Sequence, residues 1–568
     1  MPTRAFNFNS VPVPKIGRSK FDMSFTLKGG FPQGRMIPLL CQEVVPGDYW
    51  KVHAFTLQRY FALIAPMMQQ SDVHMDFFYV PSRLCHKDFA DFRTGGEDGK
   101  QAPTVPQVNL GDLYSYDPAY LAPGSTLNYL GITGPMKSVN GQWVYDIEVE
   151  IDTDHLEKYP NIDLKPLNAY ILIWNEYIRD ENLQPKFPIF DESKVYTVQE
   201  MDDMITDATD GIYDLSSLLY KPFHRAWPKD YFTTALPDPQ RGNAVGVPFA
   251  SSADLTLNNP QVELSGDVTS YSNPTDITAR QISNPSSEMR EGSPISLTAT
   301  NDNEANLALK SINGQANLSS LSTVSIIGLR TAFAIQSILE KLNVSGGRLQ
   351  EFTLALFNEW VPDNRIQKPI RLSSSKIPVS VSEVETNAEA GGLVVGDLAG
   401  KAKSTGGFRP FKLKVVEDGY IIGLMSIVPK AAYMQGLSRM WTRFDRWDMY
   451  LPQTQFIGEQ SVKNKEIYID WYGSGHGNDK DFGYQARFSD MKFNPDRIVG
   501  DMQTSLAYWH QARIFDHAPG LNSDFIECNP STRPFAVSDS DYQNVVGEIY
   551  FNMIASRKMA RYATPKLT

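Results

Sequence analysis

The apolar and polar positions of this chain divide it into sheet-forming segments near both ends and a long irregular middle. Residues 420–428 (YIIGLMSIV) are apolar at almost every position and stop at Pro429, the pattern of a strand buried on both faces. Residues 73–80 alternate instead, with Val73, Met75, Phe77 and Tyr79 on one face and His74 and Asp76 on the other. Before them, a mostly apolar run over residues 36–45 closes at Pro46-Gly47-Asp48, and a second extended run covers residues 49–61. Strand, turn, strand, turn, strand predicts the start of an antiparallel sandwich. Residues 411–416 and 420–428 flank a Glu-Asp-Gly turn, which predicts a hairpin, and residues 465–472 predict a further strand. Val545, Gly547, Ile549, Phe551, Met553 and Ala555 alternate with mostly polar partners, a half-buried last strand.

The middle breaks this rhythm. Residues 94–106 form a Gly/Pro/polar loop and residues 111–160 are rich in turn formers, so 94–166 is read as one loop excursion. A helix is predicted over residues 167–179, with Leu167, Tyr170, Ile171, Trp174 and Ile178 on its apolar face. A second is predicted over 329–342, with Ala332, Ile335, Leu339 and Leu342 on one stripe, ending before Gly346-Gly347, and a third over 349–358. Residues 251–323 differ sharply: 30 of 73 are Ser, Thr or Asn, and Tyr271 is the single aromatic. Such a segment cannot build a large core of its own, so it is disordered or an exposed, β-rich projection, and the projection is favoured.

Composition then narrows the class. At 568 residues, with 42% hydrophobic and 11% aromatic side chains, the chain has ample material for a packed core. The opening residues have no apolar centre that would read as a secretory signal, and no run approaches the 18 apolar residues of a membrane span, so no membrane insertion is expected. Cys41, Cys85 and Cys528 are odd in number and widely spaced, which suits buried thiols in a reducing compartment. The eight histidines form no HxxxH or HxH pair, and the loop at 473–483 is Gly-rich without GxxxxGK[ST]. No GxSxG, HExxH, EF-hand loop or helix-opening GxGxxG occurs. The chain is therefore read as no enzyme, with no catalytic residues, cofactor or metal. A pair of glycosidase carboxylates cannot be recognised in one sequence, which leaves a secreted or surface β-sandwich that binds or cleaves glycans as the alternative.

Charge is informative once divided. The total is −12, but residues 1–35 hold Arg4, Lys15, Arg18, Lys20, Lys28 and Arg35 against Asp22 alone. Residues 549–568 hold Arg557, Lys558, Arg561 and Lys566 and no acid. If the two basic ends meet in space, they form an electropositive pole on an acidic body, suited to contact with nucleic acid; otherwise they are solvated tails. A second concentration lies at Arg439, Trp441, Arg443, Phe444, Arg446, Trp447 and Tyr450, where guanidinium and aromatic groups interleave as they do in protein interfaces and on nucleic-acid surfaces. The competing reading is that Met440, Phe444 and Trp447 are simply core.

Several stretches, in order along the chain, carry a resemblance. They are RSKFDMS (18–24), EVVPGD (43–48), PMMQQSDVHMDFFYVPSRLC (66–85), YFTTALPDPQRG (231–242), LRTAFAIQSILEK (329–341) with GGR, and DNRIQKP (363–369). GYIIGL, QGLSRMW and GEQ follow, then GYQARFSDMKFNPDRIVGDM (483–502) and LAYWHQARIF (506–515). Together they resemble the major capsid proteins of the Microviridae, small single-stranded DNA phages, in the gokushovirus-like branch. The resemblance is weakest over residues 251–323.

The resemblance implies an all-β fold: an eight-stranded antiparallel jelly roll of viral capsid type, with long loop insertions carrying several short helices. Residues 1–35 would be a basic arm, 36–568 one capsid domain, 251–323 a surface protrusion, and 549–568 a basic last strand and tail. It implies self-assembly through pentamers into a T=1 icosahedral shell enclosing circular single-stranded DNA, built in the host bacterial cytoplasm and resident in the virion. A small basic DNA-binding or internal virion protein and a host surface receptor are the further partners. The candidate DNA-facing or interface residues are Arg4, Lys15, Arg18, Lys20, Arg439, Trp441, Arg443, Arg446, Trp447, Arg557, Lys558 and Arg561. The candidate protrusion is marked by Ser251, Tyr271, Arg280, Arg290 and Thr323.

Overall fold

The computed structural model describes residues 17–96, 102–243, 245, 257–265, 308–316, 326–385, 398–473, 477–537 and 543–562. Two antiparallel sheets dominate. Their strands, in chain order, are Ser19–Asp22 (β1), Phe25–Phe31 (β2), Ile37–Val44 (β3), Tyr49–Tyr60 (β4), Ser71–Pro81 (β5) and Ile370–Pro378 (β6). Ser380–Glu385 (β7), Leu398–Gly407 (β8), Phe411–Lys414 (β9), Gly419–Pro429 (β10) and Val545–Arg557 (β11) complete them. The smaller sheet runs β6-β5-β10-β3. The larger runs β1-β11-β4-β8-β7, with β2 also on β11 and β9 also on β4.

One hydrophobic core joins the two sheets. Trp50, Val52, Ala54, Phe551 and Met553 from the larger meet Ile37, Val73, Met75, Phe77 and Ile421 from the smaller. The alternation read in residues 73–80 is thus realised, and the last strand buries Val545, Ile549, Phe551, Met553 and Ala555 as its period requires. The uninterrupted apolar run of β10 also has a cause. Tyr420, Ile422 and Leu424 turn away from the sandwich, with Phe78 and Val80, into a second core with Tyr170, Trp174, Phe187 and Phe223. The small sheet is therefore covered on both faces, and every residue of β10 is buried.

The second core is built by the chain between β5 and β6. The predicted helix forms as Lys165–Ile173 and continues as one π-type turn, Trp174–Ile178. Its buried amides close the loops beside it. Asn168 Nδ2 donates to the carbonyls of Cys85 (2.9 Å) and Phe190 (2.6 Å), and Asn175 Nδ2 donates to Phe187 (2.8 Å). The insertion is bolted to the sheet through Asp76, only 2% exposed, whose carboxylate meets Arg225 at 2.9 Å and Arg371 at 2.8 Å. Burial alone would raise the Asp76 carboxyl, but the Arg225 charge and the hydrogen bonds outweigh it and hold the group below its ordinary range.

Two expectations are corrected. Residues 411–416 and 420–428 do not pair as a hairpin: β9 pairs with β4 in the large sheet, and β10 lies between β5 and β3 in the small one. The Glu-Asp-Gly segment is a corner between sheets, held by Arg83 on Glu417 (2.7 Å), Arg93 on Asp418 (3.1 Å) and the Tyr79 hydroxyl donating to the Glu417 carbonyl (2.8 Å). Residues 465–472 are not a strand either. The strand is Glu459–Lys463, paired with Asp481–Ala486, and a helical turn Asn464–Ile467 follows because Glu466 accepts from the Lys463 amide (2.9 Å).

By contact the chain divides into residues 1–242 with 339–568, and residues 243–338. The first unit holds both sheets. In the second, Leu257–Ser265 pairs antiparallel with Ala308–Ala316. The helices expected near 329 and 349 form as Ile326–Ser345 and Leu349–Phe357, separated by Gly346 at φ 99°, a conformation a side chain would strain.

Two half-buried imidazoles in the first unit, His74 and His224, are pushed well below their ordinary range. Burial and the nearby Arg225 bring His74 down to about 4, against the opposing pull of Asp76 and Asp72. Burial and Arg35 bring His224 down to about 4 as well. Both are neutral in the folded chain at pH 7. Between pH 6.5 and 4 the unfolded chain binds protons that the folded chain refuses, so stability is lost as pH falls through that window. The thermal midpoint of the purified chain is expected to drop between pH 6.5 and 4, at a cost on the order of 2 kcal/mol per histidine. A midpoint flat across that range would contradict the assignment.

Candidate functional site

The chain's two basic segments come together at one end of the large sheet. Strand β1 pairs antiparallel with the far end of β11, Ser19 opposite Arg557 and Lys20 opposite Ser556. Arg18 Nη1 donates to the Ser556 carbonyl at 3.4 Å. Lys558 runs over Gly47, and Lys20, Lys558 and Arg561 are exposed. The condition under which the sequence implied an electropositive pole is met for these residues. Arg557 has a different place: it pairs with Asp48 at 3.1 Å, lies 5.0 Å over the Trp50 ring and is mostly buried. Arg4 and Lys15 lie outside the described residues.

The Arg/aromatic block is exposed, not core. Residues 439–442 form a short 3-10 turn and the loop continues to residue 451. Phe444 is 88% exposed, Trp441 64% and Trp447 53%, so the reading of Phe444 and Trp447 as core residues is overturned. Met440, 57% exposed, goes with them. No periodicity places these side chains on an inward face, because a single 3-10 turn and otherwise irregular loop run through them.

Two arginines hold this loop from beneath. Arg439 Nη1 donates to the Ser461 carbonyl (2.7 Å) and to Glu466 Oε1 (3.2 Å), while the Tyr231 hydroxyl donates to Glu466 Oε2 (3.0 Å). Burial raises the Glu466 carboxyl above its ordinary range, an effect partly offset by the Lys463 amide and Arg439. Arg443 is ion-paired with Asp490, both side chains nearly buried. Arg446 reaches outward and stacks 4.6 Å from the Trp447 ring. Asp448 accepts from the amides of Phe444 (3.3 Å) and Asp445 (3.2 Å), which fixes the turn carrying Phe444. The result is a preset loop presenting two indoles, a phenyl ring and one guanidinium to its surroundings.

Of the candidate interface residues, the structure thus separates Arg439, Arg443 and Arg557, which act inside the chain, from Trp441, Arg446, Trp447, Lys20, Lys558 and Arg561, which face out. Ser251, Tyr271, Arg280, Arg290 and Thr323 lie outside the described residues; the two strands at 257–265 and 308–316 are what is described of that segment. Among the described residues no cluster of His, Cys, Asp and Glu has the arrangement of a metal site, and no helix is long and apolar enough to cross a membrane. Cys85 and Cys528 are buried and Cys41 half-buried, and burial raises all three thiols, so none has the lowered pKa of a nucleophile.

Comparison with known proteins gives the geometry a context. Residues 9–567 match the model of a family described as capsid protein (F protein). The chain is 31% identical to the capsid protein VP1 of Chlamydia phage 1, over 99% of this chain and 97% of that one. It is 30% identical to capsid protein VP1 of Bdellovibrio phage phiMH2K, over 98% and 97% of the two chains, and 29% identical to that of Spiroplasma virus 4, over 99% and 98%.

Proposed function

The chain belongs to the capsid protein (F protein) family, of Microviridae type, with a structural capsid role, and from that premise we propose that its copies join through pentamers into a closed T=1 icosahedral shell around circular single-stranded DNA. The observation that carries the assembly reading is the loop at 439–450. A lone chain gains nothing from holding Trp441, Phe444 and Trp447 in water, whereas aromatic and Arg side chains are the usual anchors of protein contacts. Family membership decides against the glycan-binding sandwich that the sequence left open.

Eight strands of the two facing sheets form the jelly roll in this reading, and the remaining strands extend it. The chain's basic ends face the enclosed DNA. Their few charges cannot neutralise a genome, so a small, very basic internal protein completes the packing. Assembly takes place in the host bacterial cytoplasm, and the product is the virion. Residues 251–323, poor in aromatics and within the second contact unit, form a protrusion that meets the host surface receptor.

Sedimentation and negative-stain microscopy of the purified chain test assembly. Uniform closed particles, or pentamers that close on addition of DNA and a basic protein, are the expected result; a chain that stays monomeric under every such condition refutes it. Deleting residues 251–323 is expected to leave assembly intact and cut adsorption to host cells at least severalfold. Shells lacking the segment that adsorb like the parent would remove its receptor role.

A further inference from the structure

The outward face of the large sheet is exposed to solvent. Its inner residues make the sandwich core; the alternate set points to solvent and is unusual in composition. On β4 that set is Lys51, His53, Phe55, Leu57 and Arg59. Register then places Lys412 of β9 opposite Lys51 and Lys403 of β8 opposite Arg59. Like charges directly across a sheet repel and lower stability, so these pairs are a cost the fold itself does not offset. Lys401 and Lys414 extend the same rows, and Lys20 and Lys28 stand on the far edge of the sheet. Against these eight cations the face carries two acids, Asp22 and Glu548, on a chain whose net charge is −12. None of the eight is ion-paired among the described residues, whereas lysines elsewhere are, as in Lys376–Asp72 and Lys465–Asp479.

Aromatic rings lie amid this charge. Phe55 faces Tyr550 across β4 and β11 with ring centroids 6.4 Å apart, and His53 stands 4.1 Å from Phe55. Phe55 and Tyr550 are 39% and 41% exposed. On the other side of Phe55 the register partner is Gly407, where a Cβ would come within 3.1 Å of the phenyl ring and 3.2 Å of His53. The missing side chain leaves those ring faces open.

We propose that this face is a docking surface for the single-stranded DNA of the particle, an inference that rests on the capsid reading. Lysines are depleted from the cores of protein interfaces, which argues against a second copy as the occupant. Unpaired cations around bare rings are what a single strand requires: phosphates for the charges, and unstacked bases for the aromatics. The cations are seven lysines and one arginine, point charges without the planar fork that reads base edges, so the grip is on backbone and not on sequence. From Lys51 to Arg59 the surface runs about 27 Å, at ~3.4 Å per residue, enough for several nucleotides.

The test compares the full chain with Lys51→Gln/Lys403→Gln/Lys412→Gln and with Phe55→Ala/Tyr550→Ala, measuring oligothymidine binding by fluorescence anisotropy across a salt series. Sedimentation of the same samples follows assembly. Each lost phosphate contact lowers the slope of log affinity against log salt by about 0.7, so the triple variant is expected to lose about 2 from the slope. It should also melt no lower than the parent, because repulsion has been relieved. The aromatic variant is expected to weaken binding at least about fivefold at every salt concentration with the slope kept. Variants that assemble and bind like the parent overturn the proposal. Loss of assembly with unchanged DNA binding also overturns it, and makes the face a contact between copies. A parent chain that never assembles, yet binds DNA through these residues, refutes the shell reading and leaves this one standing.

Discussion

Trp441→Ala/Phe444→Ala/Trp447→Ala is expected to abolish particle formation while leaving the chain folded. The three side chains contribute little to the fold, since each is more than half exposed, and the loop beneath them is held by Arg439 on Glu466 and Arg443 on Asp490. Buried at an interface, each aromatic anchor is worth about 2 kcal/mol or more. Losing three from every contact multiplies through a closed shell, so assembly fails outright instead of weakening. The check is sedimentation, with circular dichroism and a melting curve to show that the chain is intact. Parent-like particles from this variant would move the anchor elsewhere on the surface. The control is informative in the opposite sense: Arg443→Ala strands a nearly buried Asp490 and should lower the melting point, whereas Arg446→Ala should not.

Asp76→Asn is expected to cause the largest loss of stability from a single substitution. Asp76 stands on β5 between the two sheets' shared core and the helical insertion, and answers both Arg225 and Arg371. Removing its charge leaves two guanidinium groups with no anion, and breaking a buried pair from one side costs about 3–5 kcal/mol. Denaturant unfolding should show a midpoint shifted by that amount. The same pair carries a pH signature. Because the folded carboxyl titrates below its unfolded value of 3.8, the stability it supplies is present above that value and disappears as pH falls further. The substituted chain should lack that acid limb. A loss below 1 kcal/mol would mean that the insertion is held by its apolar core alone.

What the sequence disclosed, and what it hid, follows from how local each signal is. The burial of β10 on both faces was legible because the nine successive positions 420–428 carry it, and the helix at 165–173 because its apolar stripe recurs within two turns. The corner at Glu417 and Asp418 was misread as a hairpin turn because what opens it lies far away in sequence, at Tyr79, Arg83 and Arg93. The strand expected over 465–472 failed at Glu466, which caps a helical turn by accepting from the Lys463 amide and is held there by Arg439 and Tyr231, neither of them a neighbour in sequence. At the candidate site, Arg/aromatic density singled out the loop at 439–450, but density could not distinguish Arg446, facing out, from Arg443, locked inside. The basic face of the large sheet stayed hidden for another reason. Its cations come one or two at a time from five strands, and only the register sets Lys412 beside Lys51 and Lys403 beside Arg59. The one clue present was Lys51, Phe55 and Arg59, alternating with the buried residues of β4.

The pairing of β4 with β11 has a consequence for how the chain is made. Residues 49–60 leave the ribosome early, while their partner strand at 545–557 emerges roughly 500 residues later, which at about 5–20 residues per second is half a minute to a minute and a half. Throughout that interval β4 can pair with β8 and β9 along one edge, while its other edge, the one β11 takes, stays open. Until the last strand arrives, β1 and β2 have nothing to pair with, so a nascent or truncated chain lacks the part of the sandwich and of its outward face that β1, β2 and β11 build. Recruitment into particles is thereby limited to finished molecules, and the waiting strand is where a chaperone would be needed most.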